Sequence, residues 1–133
     1  MIAGVHHIGI AVSSIEEARR LYSAAFGLEV GETEIEEQAG IKIAWVPVGN
    51  TKLELVEPDD PKGELARQIE KRGEGMHHLA LEVADIQDAL ETLKEKGFPL
   101  ISEKPERGYG GAKVAWLHPT GTGKVLIELI ERK

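Results

Sequence analysis

The sequence predicts an α+β protein made of two tandem βαβββ modules, and three observations carry that prediction. The chain repeats itself, each half places strand-like and helix-like segments in one order, and turn residues punctuate both halves at matching places. Val5-His6-His7-Ile8-Gly9-Ile10-Ala11-Val12 aligns with Met76-His77-His78-Leu79-Ala80-Leu81-Glu82-Val83 at an offset of 71 residues. The same offset pairs Ile15 with Ile86, Ala18 with Ala89, and Ala44-Trp45-Val46 with Ala115-Trp116-Leu117. Three extra residues within 118–124 then shift the register, so Leu53-Glu54-Leu55 meets Ile127-Glu128-Leu129 at an offset of 74. Chance similarity between amphipathic segments would not keep His-His, Ala-Trp and Leu/Ile-Glu-Leu in a single order.

The first module, about 4–57, opens with a strand over 4–12. Ser13 or Ser14 then supplies an N-cap, Ile15, Ala18, Leu21, Tyr22 and Ala25 form an apolar stripe, and Gly27 stops the helix. Strands are expected over 29–37, 41–48 and 51–57, with Gly40 and Gly49-Asn50 as turns. Residues 58–74 are a connector with a short helix that ends at Arg72-Gly73. The second module, about 75–131, repeats the order: strand 76–83, helix from Asp85 to Lys96, Gly97 as the stop, then strands near 99–102, 112–118 and 124–131. About 65 residues bury too little surface to fold alone, so the chain reads as a single domain, 1–133.

Composition removes several functions. With 23 acidic and 16 basic residues the formal charge is −7, which argues against a nucleic-acid-binding surface. There is no cysteine, so a metal here must be held by histidines and carboxylates. The longest apolar runs are strand-sized, which predicts no membrane span. The start, Met1-Ile2-Ala3-Gly4, has no basic segment of the signal-peptide kind, and a cytoplasmic protein is expected.

Strand alternation then sorts the side chains. His6, Ile8, Ile10 and Val12 share the bulky face that must meet a helix; Val5, His7, Gly9 and Ala11 share the other, small apart from His7. In the second copy, His77, Leu79, Leu81 and Val83 face the helices, and His78, Ala80 and Glu82 face away. Glu54 lies opposite Leu53 and Leu55, and Glu128 lies opposite Ile127 and Leu129. His7, Glu54, His78 and Glu128 are thus expected to point into one open concavity. Neutral imidazoles and carboxylates bind divalent ions at about 2.0–2.2 Å, and four protein ligands in an octahedral shell leave two positions for water or substrate. His6 and His77 are expected in supporting roles, and His118 in loop structure.

With those residues placed, the chain resembles the vicinal oxygen chelate superfamily, which includes glyoxalase I, extradiol dioxygenases and methylmalonyl-CoA epimerase. Within it the resemblance is closest to the epimerase family. It is carried by 6–12, by Glu36-Glu37-Gln38-Ala39-Gly40, by Leu53-Glu54-Leu55-Val56-Glu57-Pro58, and by Gly73-Glu74-Gly75-Met76-His77-His78. Phe98-Pro99-Leu100-Ile101, Glu103-Lys104-Pro105, Leu117-His118-Pro119 and Gly123-Lys124-Val125-Leu126-Ile127-Glu128-Leu129 complete it. The resemblance implies a curved mixed sheet in which the paired modules form a metal-binding cup. It also implies one divalent ion (Co, Mn, Ni, Zn or Fe), an acyl-CoA substrate, a homodimer, and interconversion of (R)- and (S)-methylmalonyl-CoA. Some relatives carry a catalytic Glu on the strand after the Glu-Gln-Gly turn, where this chain has Ile43 with Lys42 beside it. Glu128 is then the candidate catalytic base as well as a ligand.

The segment 106–113, rich in glycine and carrying Arg107 and Lys113, reads either as a cover over the acyl-CoA or as a plain hairpin connection. Arg107, Lys113 and Lys124 are candidates for the phosphates. A glyoxalase I-type lyase using the same four ligand types is the nearest enzymatic alternative. A ligand-sequestering protein with an empty cup is the non-enzymatic one, and it predicts indifference to chelators.

Overall fold

A computed structural model describes residues 1–132. Among them are eight strands and three α-helices, in the order expected of two βαβββ copies separated by a helical connector. The first copy comprises β1 (Ile2–Ala11), α1 (Ile15–Phe26), β2 (Glu34–Glu36), β3 (Ile41–Val48) and β4 (Thr51–Pro58). The connector holds α2 (Glu64–Arg72). The second copy comprises β5 (Gly75–Val83), α3 (Ile86–Glu95), β6 (Glu106–Arg107), β7 (Lys113–Leu117) and β8 (Ile127–Glu131). Contacts divide the chain into two compact units, residues 8–77 and residues 1–7 with 78 onward.

In the unit of residues 8–77 the strands lie in the order β2-β3-β4-β1. β1 runs parallel to β4, with Gly9 opposite Glu54, and β3 runs antiparallel to β4, with Trp45 opposite Glu54. One sheet face packs Val12, Ala44, Val46 and Leu55 against Ile15 and Ala18 of α1. Ser14 caps α1, its side chain accepting from Glu17 N, and Gly27 ends the helix in the left-handed conformation. Leu21 and Ala25, expected in the helix stripe, are exposed; only Ile15, Ala18 and Tyr22 turn inward.

The second unit repeats this arrangement. The strand order is β5-β8-β7-β6, with Ala80 opposite Glu128 in the parallel pair and Trp116 opposite Glu128 in the antiparallel one. Val83, Ala115, Leu117 and Leu129 pack against Ile86, Ala89 and Leu90 of α3, whose N-cap is Asp85. The copies even share a brace. Glu57 accepts from Ile15 N at 2.7 Å and pairs with Lys42 at 3.6 Å; Glu131 accepts from Ile86 N at 2.9 Å and pairs with Lys113 at 3.7 Å. Each carboxylate satisfies a free amide in the first turn of a helix, where the helix dipole favours negative charge.

Three strand expectations are corrected. The strand expected over 29–37 shrinks to Glu34–Glu36, because Arg19 takes the carbonyls of Val30 and Gly31 at 2.8 and 2.7 Å before a neighbouring strand can. No strand forms over 99–102: Leu100 makes a single bridge to Leu117, and Ile101 N and Ser102 N both donate to Trp116 O. The buried Ser102 hydroxyl also accepts from Trp116 N at 3.0 Å, replacing a ladder bond with a side-chain one. The strand expected over 124–131 starts only at Ile127, after Gly123 and Lys124 turn with φ of 65° and 73°.

The loop at 106–113 takes the hairpin form. β6 pairs with β7, and Gly108 N donates to Ala112 O at 2.8 Å across the turn. A Cβ on Gly108 would stand 2.6 Å from Val114 Cγ1, so the close approach requires glycine. No helix among the described residues is long and apolar enough to cross a membrane.

Candidate metal centre

In the unit containing residues 1–7 and 78 onward, three of the four sequence-derived ligands come together. His7 lies on β1, His78 on β5 and Glu128 on β8, and they are only 3%, 7% and 8% exposed. His7 Nε2 is 3.0 Å from His78 Nε2 and 3.3 Å from Glu128 Oε1, and His78 Nε2 is 3.8 Å from the same oxygen. Their placement follows from alternation along β5 and from parallel register with β8. Ala80 sits opposite Glu128, so His78, two residues earlier, projects from the same sheet face. The imidazoles of His7 and His78 meet edge to face at 5.1 Å, and His78 meets Trp116 in the same manner at 5.2 Å. Aromatic packing therefore fixes the ring planes.

Glu54 belongs to the unit of residues 8–77. There it occupies the position on β4 that Glu128 occupies on β8, opposite a small residue (Gly9) on one side and a tryptophan (Trp45) on the other. His7 precedes Gly9 by two residues, as His78 precedes Ala80. Lys52 places its ammonium 4.7 Å from the centre of the Trp45 ring, which holds the indole beside Glu54.

The donors fit a divalent ion. Two ligands bound at about 2.1 Å and at right angles stand about 3.0 Å apart, which matches the spacing of the two Nε2 atoms. His7 and His78 belong to a group whose ligand atoms all lie within 4.8 Å of one another. Three buried polar side chains aimed at one point would be costly without a shared partner, and nitrogen and oxygen donors suit borderline divalent ions. His6 supports this geometry, with its Nδ1 2.7 Å from His7 Nδ1. Metal-binding histidines are commonly oriented through their second nitrogen in this way. His77 is engaged elsewhere, at 2.9 Å from Gln68 Oε1. His118 accepts from Thr120 N at 3.2 Å, which is the loop role expected of it.

Ile43, the position at which the family resemblance leads one to look for an acid, is fully buried in an apolar cluster with Ala11, Val56 and Leu65. Leu65 comes from α2, so the connector helix covers part of the sheet face that strand alternation alone leaves open. Its apolar positions, Leu65 and Ile69, are spaced four apart, a signal visible in the sequence but too short to say which face the helix would cover.

The sequence profile of the Glyoxalase/Bleomycin resistance protein/Dioxygenase superfamily matches residues 6–116. The chain belongs to this superfamily. Among superfamily members, it is 38% identical over 126 residues to the mitochondrial methylmalonyl-CoA epimerase of Bos taurus, covering 94% of this chain and 72% of that one. It is 36% identical over 131 residues to an ethylmalonyl-CoA/methylmalonyl-CoA epimerase of Cereibacter sphaeroides, covering 97% and 98% of the two chains. A solved structure of a Streptomyces coelicolor methylmalonyl-CoA epimerase variant, in complex with 2-nitronate-propionyl-CoA, matches with a TM-score of 0.92 at 30% identity. That match covers 99% of this chain and 96% of the other. The chain thus has the α+β fold of the superfamily's epimerases.

Proposed function

We propose that this chain is an isomerase that interconverts (R)- and (S)-methylmalonyl-CoA, with His7, Glu54, His78 and Glu128 holding one divalent ion. The observation that carries the reading is the buried convergence of two imidazoles and a carboxylate at 3.0–3.8 Å. It occurs in a chain similar to methylmalonyl-CoA epimerases over nearly its whole length. The carbon between a thioester and a carboxylate is acidic because its carbanion delocalises as an enolate. His7, Glu54, His78 and Glu128 would hold the divalent ion, whose positive charge would stabilise the enolate as it develops. Glu128 takes the α-proton as the C–H bond breaks and its electron pair enters the enolate; a water molecule on the opposite face gives a proton to the same carbon, and the hydroxide left behind takes the proton from Glu128, which completes the inversion. The imidazoles of His7 and His78 stand beside that carboxylate, 3.3 and 3.8 Å from its Oε1.

With Ile43 apolar, no carboxylate at that position assists, and the second proton donor is a water or another acid. The test is exchange of the substrate α-proton with deuterated solvent, alongside elemental analysis. Glu128→Gln is expected to reduce exchange by about 10²–10⁴-fold; near-normal exchange with metal retained would overturn Glu128 as the base. We also propose that both repeats act as one domain, and that the protein works as a cytoplasmic homodimer.

A further inference from the structure

We propose that the basic face of α2 binds the phosphate groups of the acyl-CoA, an assignment that rests on the acyl-CoA reading above. Glu64, Arg67, Gln68, Lys71 and Arg72 line a shallow depression of about 320 Å³ in the unit of residues 8–77. Spacings of three, four and one place all five on a single stripe of the helix. Leu65 and Ile69 set the rotation of that stripe, because they pack against the apolar cluster of Ala11, Ile43 and Val56.

The lining carries three cations against one carboxylate, in a chain of net charge −7. Among the described residues, Arg67, Lys71 and Arg72 make no ion pair within 4.0 Å. By contrast Lys113, a phosphate candidate from sequence, is paired with Glu131. Lys71 and Arg72 sit in the last turn, where the helix dipole favours cations. That accounts for two of the three charges but not for Arg67, which lies more than a turn earlier. Three neighbouring cations with a single carboxylate among them leave a net repulsion, and a dianion relieves it. Guanidinium forks match phosphate oxygens in pairs, and an ammonium adds a point charge. Gln68 is held firmly in the lining, since its Oε1 accepts from His77 Nε2 at 2.9 Å.

Two measurements test this. In the first, α-proton exchange is followed for methylmalonyl-CoA and for the N-acetylcysteamine thioester, which keeps the acyl group and lacks the phosphates. In the Arg67→Gln/Lys71→Gln/Arg72→Gln variant, the preference for the CoA thioester, as a ratio of kcat/KM values, should fall at least tenfold through KM. An unchanged ratio overturns the proposal. In the second, adenosine 3′,5′-bisphosphate and inorganic phosphate are titrated by calorimetry, a readout that needs no turnover. The bisphosphate Kd should rise at least tenfold in the variant; equal affinity overturns the proposal, as does inorganic phosphate binding as tightly as the bisphosphate. Failure of wild-type exchange with methylmalonyl-CoA would sink the functional reading, while the calorimetry still reports on the depression. Should the triple variant melt early, Arg67→Gln alone carries both measurements, with a change of at least threefold expected.

Discussion

The two ring nitrogens of His7 have different partners. Nδ1 lies 2.7 Å from His6 Nδ1, while Nε2 faces His78 and Glu128. A proton on Nδ1, donated to His6, leaves the Nε2 lone pair free for a metal ion. His6→Ala is therefore expected to weaken divalent-metal affinity by about 10–100-fold, measured by competition with a chromophoric chelator; an unchanged affinity would make His6 a bystander. Ile43 offers the converse experiment. Placing a carboxylate there buries it among Ala11, Val56 and Leu65. Ile43→Glu should lower stability by about 3 kcal/mol or more, read from urea unfolding. An unperturbed midpoint would show that α2 yields at this place. On that expectation, an acid at position 43 comes only with a loss of packing.

At the scale of elements, the alternation of strand side chains was readable because one face of each first strand is bulky and the other small. His7, His78 and Glu128 lie together as that alternation demands, and both helices begin at residues whose side chains can cap them, Ser14 and Asp85. Asp85→Ala should cost about 1 kcal/mol, the usual worth of an N-cap, visible as a lower melting temperature with the same far-UV spectrum. What the sequence hid were elements decided by contacts between distant side chains and backbone. Arg19 draws the carbonyls of Val30 and Gly31 out of the expected strand, and Ser102 inserts its hydroxyl beside Trp116; neither partner can be found by periodicity. The hairpin at β6 and β7 is similar, since only the structure shows why Gly108 is needed. Gly108→Ala should destabilise by about 1–3 kcal/mol, and Val114→Ala in the same chain should recover part of the loss, because the clash is with Val114 Cγ1. No recovery would place the strain elsewhere.

For the molecule as a whole, the metal is expected to act on stability as well as chemistry. A ligand that binds only the folded chain adds about 2.7 kcal/mol at a hundred times its Kd. Stripping with a chelator should therefore lower the melting temperature by several degrees, and adding back a divalent ion should restore it. A melting temperature indifferent to both would favour the ligand-sequestering alternative. Repetition along the chain was the most legible property of all, and the positions at which the copies depart from one another are equally informative. The connector helix α2 covers apolar residues in the unit of residues 8–77, and the other unit has an apolar cluster of its own, formed by Ala80, Ala112, Val114 and Ile130. Glu57 and Glu131, by contrast, perform one job twice, each joining a helix amide to a lysine. The protein therefore carries its own control: neutralising either glutamate removes the same pair of bonds in two different settings. Any difference between the two losses measures how unequally the two halves depend on a single shared part.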